Sequence, residues 1–223
     1  MSDELKKRWL SKEGKILREK LITHIREDNW HLLFEDSFFA KKIKNERDLA
    51  GIDLSKLDLS NAKLKGFKLR YSDFNHSNLT HANLWETDLR SANLSKCMLT
   101  NANLVKANLW GANLSGANLD NADLFLANFN DTDFTNASLK EAILSEANFC
   151  DSHFYKANLI GAEIKMAYLT GSDLREVNLS HATLWDSRIR EADLSGADLT
   201  GADLSECSLV RTNLIGAKGE FRP

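Results

Sequence analysis

A large apolar residue recurs at every fifth position of this 223-residue chain, from position 49 to position 214, without any change of register. Of these 34 positions, 27 are leucine, and the others are Phe74, Phe129, Phe134, Phe149, Phe154, Ile164 and Ile189. An α-helix repeats its face every 3.6 residues and a β-strand every two, so neither produces a period of five. A five-residue unit predicts one short straight segment and one corner, with several units closing each turn of a solenoid.

Two further positions of each unit are restricted in residue type. Two residues before each apolar residue, between positions 52 and 217, 20 of 34 residues are alanine and most others are also small. Between these two columns, from position 53 to 213, 22 of 33 residues are Asp or Asn, which hydrogen-bond nearby backbone and tolerate turn conformations. One large and one small inward residue per unit predict a narrow, filled interior.

The most regular stretches are residues 107–119, which read ANLWGANLSGANL, and residues 192–204, which read ADLSGADLTGADL. Both resemble the signature of the pentapeptide-repeat proteins, and the resemblance covers residues 49–217. It implies a mainly β fold, a right-handed quadrilateral parallel β-helix with four pentapeptides per coil. At that length the solenoid would have about 8 coils and, with about 4.8 Å between strands, a length of roughly 40 Å.

The sign of the net charge changes near residue 48, and the repeats end at residue 217, so we predict three parts of the chain. Residues 1–48 carry 12 Lys and Arg against 10 Asp and Glu, whereas the remainder carries 17 against 22. We predict a short α-helical N-terminal cap over 1–48, the repeat solenoid over 49–217 and a tail over 218–223. Ser11 is expected to cap a helix that ends near Glu27. Its apolar face is predicted to hold Ile16, Leu17, Leu21, Ile22 and Ile25.

A second helix is predicted from about residue 29 to residue 44, and its aromatic residues suggest that it is buried. The first coil of a solenoid has an open edge that invites aggregation unless it is covered. Large residues replace alanine only near this end, so we predict that they form the floor on which the helices dock. The predicted docking residues are Trp30, Phe34, Phe38 and Phe39 from the helix and Ile52, Leu57 and Phe67 from the floor. Alternatively, the four aromatic residues form a groove for a partner.

The other end has a shorter cover, because only six residues follow position 217. Stacking of one C-terminal coil on another is therefore a hypothesis for a homodimer. The three cysteines, Cys97, Cys150 and Cys207, follow no metal-ligand spacing and are expected to be free thiols. The chain has neither a signal-peptide pattern nor an apolar run long enough to span a membrane, which predicts a cytoplasmic protein.

If a coil takes 20 residues, positions 20 apart lie above one another on the same outer wall. Trp85, Val105, Phe125 and Trp185 then share one wall, which is the best candidate for an exposed apolar patch. Trp110 falls on the neighbouring wall, in one column with Arg70 and Arg90. Trp and Arg are enriched among interface anchors, so these seven residues are the candidate protein-interaction surface. The alternative is that they are incidental surface aromatics.

Catalysis finds little support in the sequence. The six histidines have no metal-ligand spacing, and the many Asp and Asn residues follow the repeat rule. The glycines fall at repeat corners and form no phosphate-binding loop. We therefore predict a protein that is not an enzyme and that uses no metal or other cofactor.

Two kinds of function are left, both of them non-enzymatic. The first is a rigid solenoid scaffold that binds a protein partner whose identity the sequence does not show. The alternative, implied by the resemblance, is a DNA mimic that modulates a type II topoisomerase, DNA gyrase. Duplex DNA carries one charge per about 1.7 Å, whereas a net −5 over the rod is several-fold sparser. Direct nucleic-acid binding is not expected either, because the Lys and Arg residues are dispersed.

Overall fold

The computed structural model of the chain describes residues 2–27 and 47–220. The second predicted helix, with Trp30, Phe34, Phe38 and Phe39, lies outside the described residues, as do residues 221–223. Two helices precede the repeats: α1, Ser2–Leu10, and α2, Lys12–Glu27.

Ser11 separates the two helices and caps α2 as predicted. Its side-chain oxygen accepts a hydrogen bond from the backbone N–H of Gly14 at 2.9 Å, and its carbonyl accepts one from Lys15 at 3.0 Å. The structure describes α2 as far as Glu27, the residue near which the helix was predicted to end. Helix α1 was not predicted, since its nine residues have few apolar side chains.

The apolar face of α2 differs from the prediction at one residue. Leu17, Leu21, Ile22 and Ile25 are buried, but Ile16 is 50% exposed. With 3.6 residues per turn, the four buried residues span an arc whose centre lies nearly half a turn from Ile16. Ile16 therefore belongs to the outer side of the helix.

The repeats form a coil of 20 residues per level. Parallel bridges join each bridging residue to the residue 20 positions further on, from the pair Asp48 and Lys68 to the pair Asp198 and Lys218. One bridge occurs in every five residues, so each level contains four pentapeptides. No extended strand occurs in the described ranges, because each straight side contributes a single bridging residue before the chain turns.

The five positions of each pentapeptide have distinct places, as residues 62–66 illustrate. Ala62 belongs to the small column and Lys63 to the Asx column, which carries the bridges. Leu64 belongs to the apolar column, Lys65 to the outer column and Gly66 to the corner column. The apolar and small columns point inward, where nearly all of their residues are at most 2% exposed. The predicted filled interior is thus present in the structure.

Each corner is a β-turn that runs from the apolar residue to the next small residue. At one of them the N–H of Ala62 donates to the carbonyl of Leu59 at 3.1 Å. The corner residue has a positive φ, as in a type II turn, and Asn61 has a φ of 61°. The Asx side chain of each unit stabilises the backbone just before the corner: the N–H of Ser60 donates to Oδ1 of Asp58 at 3.1 Å.

Buried hydroxyl groups of the small column are satisfied by the backbone of the level below. Ser77 donates to the carbonyl of Leu54, and Thr87 donates to that of Leu64 at 2.9 Å. The same contact recurs along the coil, which explains why Ser and Thr replace alanine without leaving an unpaired buried group.

Stacked phenylalanines fill the middle of the interior. Phe129 and Phe149 stack with ring centroids 5.1 Å apart, and Phe134 and Phe154 with centroids 4.6 Å apart. Phe129 also contacts Phe134 at 5.2 Å, so the two stacks form one cluster. The predicted stacking of residues 20 apart is confirmed.

Helices α1 and α2 pack on the first coil. The indole N–H of Trp9 donates to the carbonyl of Ala50 at 3.1 Å, and the Arg18 side chain donates to the carbonyl of Asp53. A Cβ atom at Gly51 would lie 2.8 Å from the backbone of Leu5, so α1 approaches this corner too closely for any residue but glycine.

Candidate interaction surface

The coil has four outer faces, because each level contains four pentapeptides and equivalent pentapeptides stack on one another. Each face takes the name of one of its residues. The Trp85 face contains residues 62–66 and every equivalent segment up to 202–206. Its eight segments are numbered from level 1, residues 62–66, to level 8, residues 202–206. The next face along the chain is the Trp110 face, followed by the Phe74 face and then the Ile160 face.

The predicted residues of the Trp85 face lie in one outer column, as expected. Trp185 is 42% exposed, whereas Trp85, Val105 and Phe125 are half-buried. They stand above a rigid interior, because the leucines behind them are fully buried. Half of the outer column on this face is therefore apolar, and its other four residues are Lys65, Ser145, Lys165 and Ser205.

Trp85 is held by its neighbour one level below. The Lys65 ammonium group lies 3.3 Å from the centroid of the Trp85 ring, which is a cation–π contact. The indole N–H of Trp85 is buried and has no acceptor within the described part of the chain. Such buried groups without a partner are uncommon in proteins, and Arg70 Nε and Asn130 Oδ1 share this property.

The two predicted arginines of the Trp110 face, Arg70 and Arg90, are directed at a carboxylate of the same face. Arg90 makes two hydrogen bonds of 2.8 Å with Asp88, and the Nε atom of Arg70 lies 3.5 Å from Asp88. Burial raises the pKa of Asp88, but the contacts with Arg90 and Arg70 outweigh it and leave the pKa below its ordinary value. Trp110, by contrast, is 47% exposed. Arg90 is thus hydrogen-bonded within the chain, whereas Arg70 makes an ion pair and its buried Nε–H has no hydrogen-bond acceptor among the described residues.

Several exposed apolar residues were missed by the sequence analysis. Leu126 and Met166 occupy the corner column, and Ile143 and Tyr168 occupy the Asx column; each is about 40% exposed. A hollow of about 350 Å³ lies at the corner between the Trp85 and Trp110 faces. Its lining residues are Leu126, Glu146, Met166, Tyr168, Asp186 and Arg188. The signal was available, since apolar residues are uncommon in these two columns.

The residues of the predicted docking floor follow closely on Ala50 and Gly51, which the helices contact. Ile52 and Phe67 are buried, and Leu57 is half-buried against the same core. That core also contains Trp9, Leu17, Leu21, Ile22 and Ile25 of the helices.

The cysteines are free thiols with weak nucleophilic character. Burial raises the pKa of Cys97 to about 12 and that of Cys207 to about 11, and it also raises the pKa of Cys150. In the ranges that the structure describes, no group of three or more His, Cys, Asp or Glu residues is placed to hold a metal ion. Neither described helix is long and apolar enough to cross a bilayer.

Comparison with known proteins places this geometry among similar folds. A family model described as pentapeptide repeats matches in eight copies between residues 58 and 218. HetL from the cyanobacterium Nostoc sp. strain PCC 7120, a pentapeptide repeat protein involved in heterocyst differentiation regulation, has a similar crystal structure. It is 28% identical, with 79% of this chain and 89% of HetL covered and a TM-score of 0.59.

A second similar structure is that of full-length QnrB1, a plasmid-mediated fluoroquinolone resistance protein. It is 20% identical, with 74% of this chain and 92% of QnrB1 covered and a TM-score of 0.49. No curated protein sequence matches the chain.

Proposed function

Because the chain belongs to the pentapeptide-repeat family, we propose that it is a non-enzymatic scaffold, a right-handed quadrilateral β-helix whose Trp85 face binds protein. Pentapeptide repeat proteins are typically structural or interaction proteins rather than enzymes. The involvement of HetL in regulation supports a regulatory use of such binding. In this proposal the N-terminal helices are a cap that protects the first coil.

One observation carries the proposal: a row of three apolar outer residues on successive levels of a rigid face, with a fourth beyond Ser145 and Lys165 in the same column. Trp85, Val105 and Phe125 occupy three successive levels, and Trp185 continues the column further along. Exposed apolar side chains that are fixed in advance lose little entropy on binding, which favours their use as anchors. The adjoining Leu126 and Met166 enlarge the patch.

The proposal is tested by capture of proteins from the native host on the immobilised full-length chain. The double variant Phe125→Ser and Trp185→Ser should lose the bound proteins, which can include further copies of the chain itself. The matched control is Met98→Ser and Ile160→Ser, which removes two apolar residues from the Ile160 face. Equal capture by both double variants would refute the role of the Trp85 face.

The DNA-mimic alternative receives no specific support from the arrangement of charge. The Trp110 face carries seven Lys and Arg against five Asp and Glu, a net +2, whereas a duplex is negative on every side. The alternative predicts that added protein inhibits gyrase supercoiling or protects it from quinolones at low concentration. Gyrase supercoiling that is unaffected by a saturating concentration of the protein would exclude the DNA-mimic alternative.

A further inference from the structure

The Trp85 face changes the sign of its charge along its length. Levels 1 to 3 carry three lysines and one glutamate, a net +2, whereas levels 4 to 8 carry six carboxylates and one lysine, a net −5. The three lysines are exposed, as are four of the six carboxylates. The three lysines are Lys63, Lys65 and Lys106, and the six carboxylates are Asp123, Glu146, Glu163, Asp186, Asp203 and Glu206. The face therefore has a basic end and an acidic end.

The apolar residues of the same face are arranged evenly about its middle. Trp85 lies on level 2 and Trp185 on level 7, each one level from an end of the face. Phe125 and the 40% exposed Ile143 occupy the two central levels, 4 and 5. A face with a basic end and an acidic end is complementary in charge to a reversed copy of itself, and such a copy sets its two tryptophans opposite each other.

We propose that the Trp85 face binds the Trp85 face of a second copy of this chain, with the two rods antiparallel. This assignment rests on the proposed role of the face in protein binding and names its partner. A two-fold axis that lies in the interface, perpendicular to the rods, sets level 1 against level 8 and keeps each column opposite itself. Every contact then occurs twice.

The register gives specific contacts. Lys63 lies opposite Asp203 in the Asx column, and Lys65 lies beside Glu206 at the same end. Trp85 lies opposite Trp185, which covers the most exposed apolar residue of the outer column on this face. The aromatic pairs supply apolar contact, while the end charges fix the antiparallel orientation and exclude the parallel one.

One pair of like charge results, Glu86 opposite Asp186 in the corner column. Both side chains are exposed at the edge of the face, where solvent screens their repulsion. Lys106 lies one level from Glu86 in the same column and offsets its charge. The attraction therefore comes from the ends, since +2 on levels 1 to 3 and −5 on levels 4 to 8 leave each face with a net charge of −3.

The size of the face predicts a weak dimer. Eight levels about 4.8 Å apart and a width of roughly 15 Å, corner side chains included, give roughly 600 Å² per partner. That is at the lower end of specific interfaces, so we expect a dissociation constant in the micromolar range. The dimer should weaken as salt concentration rises, because its orienting contacts are exposed charge pairs.

Charge reversal tests the proposal on the full-length chain by sedimentation equilibrium at low salt. Lys63→Glu with Lys65→Glu should weaken self-association roughly tenfold or more, and Asp203→Lys with Glu206→Lys should do the same. An equimolar mixture of these two double variants should restore wild-type affinity as a heterodimer, because both ends are then complementary. The quadruple variant should restore it as a homodimer.

The matched control makes the same charge change elsewhere: Lys96→Glu on the Phe74 face with Lys140→Glu on the Ile160 face. It should leave the dissociation constant unchanged. Thermal unfolding of each variant shows that it is folded, and the mixture supplies an internal check, since rescue requires two folded partners.

Two results would overturn the second-copy assignment. One is a wild-type chain that stays monomeric at the highest soluble concentration. The other is a dimer that both charge-reversed variants retain, which would instead support stacking of C-terminal coils. A monomeric chain that still captures a different protein through Phe125 and Trp185 would leave the proposed function intact.

Discussion

The corner column shows how one backbone angle restricts residue type. All 34 corner residues from position 51 to 216 have φ between 54° and 74°, and nine of them are glycine. None is Val, Ile or Thr, whereas nine β-branched residues occupy the neighbouring outer column. A branched Cβ clashes with its own backbone at positive φ, so the column excludes these residues although it faces solvent.

A substitution at a single corner tests this restriction. Glu141→Thr should lower the free energy of unfolding by about 1–2 kcal/mol, because it forces a β-branched residue into the left-handed region. Lys140→Thr, one residue earlier in the outer column, should change it by less than about 0.5 kcal/mol. Urea unfolding followed by far-UV circular dichroism measures both, and equal losses would show that the corner angle is not the cause.

The buried thiols give the fold a dependence on alkaline pH. The Cys97 thiol donates to the carbonyl of Phe74 and the Cys207 thiol to that of Leu184. Burial raises the pKa of Cys97 from 9.0 to about 12, so the folded chain holds its proton where the unfolded chain has lost it. Stability from this group is complete below about pH 9 and decreases as the pH rises toward 12.

The double variant Cys97→Ser and Cys207→Ser removes this titration and keeps a donor, since Ser77 makes the same contact naturally. We expect the wild type to lose more of its unfolding free energy between pH 9 and pH 11 than this variant. Urea titrations at the two pH values measure the difference. Identical losses would mean that other groups determine the alkaline limit.

At the scale of the element, only one side of α2 contributes to the stability of the fold. Leu21 is 1% exposed in the core shared with the first coil, whereas Ile16 on the same helix is 50% exposed. Leu21→Ala should cost about 2–5 kcal/mol through the cavity that it leaves. Ile16→Ala should cost less than about 0.5 kcal/mol, because alanine favours the helix and no packing is lost. Similar midpoints of urea unfolding for the two variants would contradict the packing of α2 on the coil.

The coil was predictable from the sequence and α1 was not, for a physical reason. Each pentapeptide determines its own corner, so the interior follows from local rules repeated along the chain. Helix α1 has only nine residues, and its place depends on distant contacts of Trp9 with Ala50 and of Leu5 with Gly51. Such tertiary contacts leave no periodic pattern in the sequence.

The candidate surface was predictable in its columns but not in its side-chain contacts. The 20-residue spacing correctly set Trp85, Val105 and Phe125 on one face. The spacing could not show that Arg90 hydrogen-bonds to Asp88, because a flexible side chain can reach several neighbours. Leu126 and Met166 were missed because the predicted surface took its residues from the outer column only.

At the scale of the whole molecule, contacts are limited to adjacent levels, so stability should vary along the rod. Each interior level is hydrogen-bonded on both sides, as the N–H of Leu114 donates to Asp133 at 2.7 Å. In the last level, the N–H groups of Leu209 and Leu214 have no acceptor among the described residues. Leu209 and Leu214 are also only partly buried, so within the described coil we expect local opening to cost least around them.

The same substitution at two levels tests this gradient. Leu114→Ala, at a fully buried site in mid-rod, should lower the unfolding free energy by about 2–5 kcal/mol, whereas Leu209→Ala, at a half-buried site, should cost less than half as much. Amide hydrogen exchange should show protection that falls from residue 194 toward residue 218 in the wild type. In the Leu114→Ala variant, amide protection should be lower than in the wild type on the levels directly before and after residue 114. A weakened level reduces the coupling between its two neighbouring levels. Uniform protection along the rod would mean instead that the coil opens only as one cooperative unit.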